Sequence, residues 1–258
     1  MSGKSGLTGM RLQQALSFSR ALLRIPRAEA VFWPGCALMK YDGKILKAAL
    51  ETLRREEPMA LAAGCCGQPT TYLFPAAAEK RQLQLRRALE KSCVRRIYTA
   101  CPNCALQFRE LGGIEVIPIW PVLLRHLRPQ ELTSPTGLYM LHDPCPMRRD
   151  AEQLDAVRGL LDLVGADWCE PAHTRECSRC CGSFRMLHAT DPEKSAQMRT
   201  LCLSEFPEEQ VITACCAGCL DAFSGGGRKT AHVLELLYGK SIRRSWGNRL
   251  KLTGSVHR

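Results

Sequence analysis

Apolar residues in this chain come in two alternating kinds of run. Residues 31–33, 96–100, 138–141 and 211–214 are short, largely apolar and rich in β-branched or aromatic side chains, which predicts strands buried on both faces. Between them, helical periodicity over residues 43–54, 75–91, 153–164 and 192–203 predicts helices, two of which open on a proline. Strand and helix alternate, so the expected fold class is α/β, with parallel sheets and covering helices. In such sheets sites gather outside the carboxyl ends of the strands. The polar, proline-bounded stretch 129–135 (PQELTSP) reads as a linker. No apolar run approaches the roughly 18 residues of a membrane-spanning helix.

One pattern occurs twice. Cys36, the Cys65–Cys66 pair and the Cys101/Cys104 motif are followed by Cys145, the Cys180–Cys181 pair and the Cys216/Cys219 motif. The spacings are C-x28-CC-x34-C-x2-C and C-x34-CC-x34-C-x2-C, so the 34-residue gap recurs. Val122 and Leu123 match Val233 and Leu234 downstream, extending the likeness into an apolar helix that closes each copy. A duplicated pair of Rossmann-like α/β domains follows, spanning 28–130 and 131–240, with the ligands at strand ends. The outer segments are a basic amphipathic N-terminal arm, 1–27, and a basic C-terminal tail, 241–258. In the arm, Leu12, Ala15, Leu16, Ser19, Leu22 and Leu23 recur at helical spacing.

Charge changes this picture only at the ends. The formal net charge is +11, yet residues 28–227 hold 23 basic against 24 acidic residues, so the excess lies in the terminal segments. A basic groove for nucleic acid is not expected. The basic ends are open to an acidic partner or an anionic membrane surface, so peripheral association with the inner face of a membrane is an expectation. Fifteen cysteines in 258 residues, without an apolar leader at the start, place the chain in a reducing cytoplasm. The odd count and the adjacent pairs favour metal or redox chemistry over a disulfide framework.

Soft thiolates select zinc, copper(I) or iron–sulfur clusters. Five per copy is one too many for a tetrahedral zinc, and the tight C-x-x-C-x-x-C spacing of ferredoxins is absent. Adjacent cysteines reach separate points of a large inorganic core more readily than two corners of one ion. Gly67 and Gly182 after the pairs remove a Cβ where backbone must approach that core. The spacing favours an expanded cluster.

These motifs closely resemble the cysteine-rich (CCG) domain family represented by the B-type component of heterodisulfide reductase, over residues 28–240 and through all ten patterned cysteines. The one departure is the shorter first gap, x28. The resemblance implies that Cys36, Cys65, Cys66, Cys101 and Cys104 hold one noncubane 4Fe-4S cluster and Cys145, Cys180, Cys181, Cys216 and Cys219 another. It implies an iron–sulfur oxidoreductase that reduces a small disulfide to thiols. The chain carries no flavin, G-x-G-x-x-G or ferredoxin signature, so a ferredoxin-like or flavoprotein donor is the expected partner. Two other readings are an electron-transfer component of a larger complex, like the paired domains of glycolate and lactate oxidation systems, and a zinc-stabilised binding protein. Zinc replaces one cluster in some relatives, so zinc in place of the first cluster is the alternative the resemblance leaves open.

Outside the pattern, Cys93 and Cys202 are expected as buried small hydrophobes. Cys177, in C-x-x-C with Cys180, and Cys215, beside Cys216, are alternative ligands, although Cys215 breaks the 34-residue register. Cys169 has no assigned role. His142 and Asp143 are candidates to bond cluster sulfur or deliver a proton, and Arg148, Arg149 and Arg179 to meet an anionic substrate. Pro102 and Asn103 shape the ligand turn. His126, His173, His188 and His232 are expected to be structural. The glycines at 225–227 form a loop, not a phosphate cradle.

Overall fold

The computed structural model describes residues 3–239 and 244–256. After a first helix, α1 (Gly3–Ser17), the chain runs β1 (Ala30–Trp33), α2 (Gly43–Leu53), β2 (Ala60–Leu61), α3 (Gln68–Leu73), α4 (Pro75–Lys91), β3 (Arg96–Thr99), α5 (Pro102–Leu111), β4 (Glu115–Pro118) and α6 (Ile119–His126). The second copy runs β5 (Leu138–Leu141), α7 (Ala151–Leu163), β6 (Asp167–Cys169), α8 (Leu187–Thr190), α9 (Pro192–Leu203), β7 (Val211–Ala214), α10 (Ala217–Gly225), β8 (Thr230–His232) and α11 (Val233–Tyr238), and α12 (Trp246–Ser255) follows. Two four-stranded sheets result, ordered β2-β1-β3-β4 and β6-β5-β7-β8. Every strand pairing within them is parallel. The expected α/β duplication is present.

Sequence explains the order. All four residues of β1 are buried, as a central strand covered on both faces requires. The chain leaves β1 for β2 on one side and returns to β3 on the other, so the carboxyl ends of β1 and β3 flank the point where winding reverses. Helix starts are set locally: Asp42, Asp150 and Asp191 accept from the backbone N–H groups of Lys44, Gln153 and Lys194, and Pro75 and Pro192 open α4 and α9.

The halves meet through reciprocal helix contacts, α6 on α7 and α11 on α2. Gly159 lets α6 approach, since a Cβ there would sit 3.0 Å from Leu124. One apolar cluster, including Leu46, Trp120, Leu123, Leu160 and Leu237, runs through both halves, and smaller clusters lie beneath each set of cysteines.

The segments at the two ends each contribute a helix that packs on the body. Helix α1 forms, but Leu12 and Leu16 on its expected apolar stripe are 61% and 49% exposed, while Gln14, Ser17 and Phe18 are buried against the body. Polar partners beneath the helix, with Phe18 just past its end, set its inward face. Within 241–258, α12 folds back onto the first half: Ser245 N–H and Asn248 Nδ2 donate to the Lys40 carbonyl, and Leu252 enters the core. Residues 241–243 and 257–258 of that segment lie outside the described residues. Among the described residues no helix is long and apolar enough to cross a membrane.

Candidate metal centre

Each cysteine motif begins where a strand ends. Cys36 follows β1, the Cys65–Cys66 pair follows β2, and Cys101 follows β3 as the residue before α5, with Cys104 in the first turn of that helix. The second copy repeats this: Cys145 after β5, Cys180 and Cys181 in the loop after β6, and Cys216 and Cys219 at the start of α10. Three adjacent strands thus deliver five sulfurs to one place, at the crevice beyond the carboxyl ends of the sheet. Gly35 makes the convergence possible: it adopts φ +92°, and a Cβ there would lie 2.8 Å from Cys101 Cβ.

Within each half the sulfurs form one continuous row of contacts. The first runs Cys36, Cys65, Cys66, Cys104, Cys101. The second runs Cys145, Cys180, Cys181, Cys219, Cys216, with 3.7 Å between Cys145 and Cys180 Sγ. The two rows have the same order, residue for residue.

Proton affinities follow the rows. Contact with Cys104 and then Cys65 pulls the Cys66 thiol below its ordinary value, and contact with Cys145 and then Cys181 does the same to Cys180. Their neighbours are held protonated: Cys104 by Cys101, Cys66 and burial, and Cys145 by Cys180 and burial. The Cys36 contact favours the Cys65 thiolate, but Cys66 and burial prevail and push that thiol up to about 12. Cys216 is lowered by Cys219 and by the Cys219 and Gly218 amides at the start of α10, where a helix favours an anion.

These donors fit a soft-metal or iron–sulfur group. All are sulfur, each row is extended, and polar hydrogens already point at it: Gln14 Nε2 reaches Cys65 Sγ at 3.7 Å, Asn103 Nδ2 reaches Cys216 Sγ at 3.9 Å, and Gly182 N–H reaches Cys180 Sγ at 3.4 Å. Among the described residues no three His, Cys, Asp or Glu side chains surround one point as ligands of a single ion would. Both rows open on one cavity of about 480 Å³ between the halves, lined by Cys36, Cys66, Cys101 and Cys104 on one side and Cys145, Cys181, Cys216 and Cys219 on the other. Asn103, expected only to shape a turn, crosses from the first half to the second.

The glycines after the pairs are required by the backbone in its own right. Gly67 and Gly182 sit at φ +91° and +84°, and a Cβ on Gly182 would lie 2.3 Å from the Ser195 carbonyl oxygen of α9. For Gly182 the close neighbour is the backbone of α9. Gly182→Ala is therefore expected to destabilise the chain by at least ~2 kcal/mol, read by urea denaturation, with Gly67→Ala costing less because only Phe18 stands near, at 3.4 Å.

His142 and Asp143 do not line the cavity. His142 is packed edge-on against Phe223 with its Nδ1 3.9 Å from Cys202 Sγ, and burial drops its pKa to about 4, so it is neutral. Asp143 accepts from Arg158, from the Thr174 hydroxyl and from Arg175 N–H, which ties down the loop carrying Cys180. Burial alone would raise its carboxyl, but those donors hold it below the usual range. Arg148 bonds Ser178, and Arg179 bonds the Leu201 carbonyl and Glu205, so both have internal partners.

Cys202 is buried as expected, whereas Cys93 is exposed, at φ +59°. The left-handed bend that ends α4 turns its side chain outward. Cys177 is exposed and Cys215 is buried against Met147 sulfur; neither joins a row. Cys169 lies on β6, partly covered. His232 caps α11, while His126 and His173 pair with Glu56 and Glu205. His188 lies at the cavity, as do Met10, Gln13 and Gln14 of α1. The polar spacing of Gln13, Gln14 and Ser17 was the available signal for that face.

No curated protein matches the chain. Solved structures that resemble it include a glutamate racemase isoform from Bacillus anthracis, with 12% identity, 81% of this chain and 77% of that one covered and a TM-score of 0.33. An aspartate racemase from Picrophilus torridus has 12% identity, 86% and 99% coverage and a TM-score of 0.34. A model of the cysteine-rich domain (CCG) matches residues 30–109 and 139–224. Those segments cover more than half of the chain and hold both cysteine rows, and the chain belongs to the cysteine-rich domain (CCG) family.

Proposed function

We propose that the protein is an iron–sulfur oxidoreductase like the B-type component of heterodisulfide reductase, reducing a small disulfide to two thiols between its halves. The observation that carries this reading is the single cavity faced by eight cysteines, four from each half. The overall change is R–S–S–R′ plus two electrons and two protons to R–SH and R′–SH. A 4Fe-4S cluster held by each row would supply electrons one at a time, which suits a bond whose two sulfurs each accept one. The chain's own residues do the rest. The two rows hold a disulfide from opposite sides, and Met10, Pro69, Pro146 and Phe184 give the cavity an apolar lining that limits water. The electrons come from a separate ferredoxin-like or flavoprotein donor.

The test is iron, acid-labile sulfide and zinc analysis of anaerobically purified protein, with its visible spectrum recorded before and after addition of a small disulfide. Iron with matching sulfide and a spectral response to the disulfide is the expected result. Clusters that ignore every disulfide and thiol offered would turn the reading into an electron-transfer component. Zinc alone, persisting after iron–sulfur reconstitution, would sink both.

A further inference from the structure

Among the described residues two arginines are almost fully buried, and they are treated differently. Arg158 is paired with Asp143 and Glu170. Arg249, on α12, is 0% exposed and pairs with no carboxylate among the described residues. Its Nη2 donates to Ser17 Oγ at 3.0 Å and its guanidinium lies over the Trp246 ring, but Nε and Nη1 have no partner among the described residues. A buried charge with two unsatisfied donors is among the least favourable groups a fold can hold, unless an opposite charge stands nearby.

Its surroundings say where that charge is. Helix α12 rests on residues Leu38–Lys40, immediately after Cys36, and its Asn248 donates to Lys40 O. Ser17, which receives the Arg249 hydrogen bond, lies on α1 one turn beyond Gln14, and Gln14 bonds Cys65. The guanidinium therefore sits where α1, α12 and the loop after Cys36 meet. Several thiolates around an iron–sulfur core or a zinc ion leave net negative charge, which supplies what Arg249 lacks.

We infer that Arg249 is the internal counter-charge of the metal centre held by Cys36, Cys65, Cys66, Cys101 and Cys104, delivered from outside the duplicated unit by α12. It is a positioning residue: it touches no substrate, and it stabilises the loaded site against the empty one. The inference rests on the proposed function only in requiring that the first row binds a metal, iron or zinc. Arg158 does not play this part for the second row, because Asp143 and Glu170 already neutralise it.

The distinguishing property is a reversal of sign. In metal-free, reduced full-length protein, Arg249→Met removes an uncompensated charge and keeps the volume, and is expected to raise the thermal midpoint by roughly 2–4 °C. In metal-loaded protein the same change is expected to speed release of about half the bound metal to a chelator by roughly tenfold, leaving the other half as in the unsubstituted chain. Arg249→Lys, which keeps the charge, is expected to retain metal nearly as well as the parent. If Arg249→Met lowers the midpoint of the metal-free protein, or that protein does not fold, Arg249 is a packing residue and the inference is overturned. Unchanged metal release overturns it equally. If the unsubstituted chain binds neither iron nor zinc at the first row, the metal-centre reading falls first, and the parent protein itself reports that.

Discussion

Replacing Cys66 and Cys104 together by serine is expected to empty the first site and leave the second loaded, so that bound metal falls to about half that of the parent. These two sulfurs are adjacent links in the first row, and serine offers a hard, strongly basic oxygen in place of a soft thiolate. The loss of affinity at that site should exceed the roughly 10–100-fold that removal of an outer partner costs. Cys181 and Cys219 occupy the same links in the second row, and their double replacement should give the mirror result. Metal analysis and the visible spectrum of each variant check this. Disulfide reduction adds a sharper condition: because the cavity is faced by both rows, either double variant should reduce turnover to background. A variant that kept full turnover with one empty site would contradict the two-sided reading.

Asp143→Ala is expected to cost about 2–3 kcal/mol of folding free energy, measured by urea denaturation, because it strips Arg158 of its more deeply buried partner, leaving only Glu170, and orphans the Thr174 hydroxyl and the Arg175 N–H. The double variant Asp143→Leu with Arg158→Leu should recover much of that loss, since two apolar groups carry no desolvation penalty. Equal losses in single and double variants would mean that the pair is not the source. Acid reveals the same carboxylate. Its folded pKa lies below its ordinary 3.8, so its contribution is complete above that value and disappears as pH falls through the folded value. His232 acts earlier. Burial and Arg244 drop its pKa to about 3, against 6.5 when unfolded, so the unfolded chain takes up that proton first and stability declines through the interval between.

Much of the frame is legible in the amino-acid order. Helices α4 and α9 begin and end where proline starts and apolar spacing place them, and β5 and β7 coincide with their apolar runs. The recurring 34-residue gap announces the duplication, which the two identically ordered sheets carry out. The short edge strands β2 and β6 escape such reading: two or three partly covered residues make no periodic signal, yet they carry the adjacent cysteine pairs. The polar face of α1 escapes it too, because apolar spacing favours Leu12 and Leu16 while buried partners such as Cys65 and Thr70 recruit Gln14. Asp143 looks like chemistry from its place near Cys145 and is instead the anchor of a loop, a distinction set by Arg158, fifteen residues further along. Arg249 has no motif at all; only its burial singles it out.

The hydrogen bond between Ser17 and Arg249 joins residues 232 positions apart. During synthesis, the first five cysteines leave the ribosome, and the strands that carry them can pair, long before residue 249 exists. The pocket they form must then remain without α12 while more than a hundred further residues emerge. Gln14 and Ser17 of α1 can stand beside the first cysteines from the start, whereas the guanidinium that α12 carries to Ser17 is the last part of that neighbourhood to arrive.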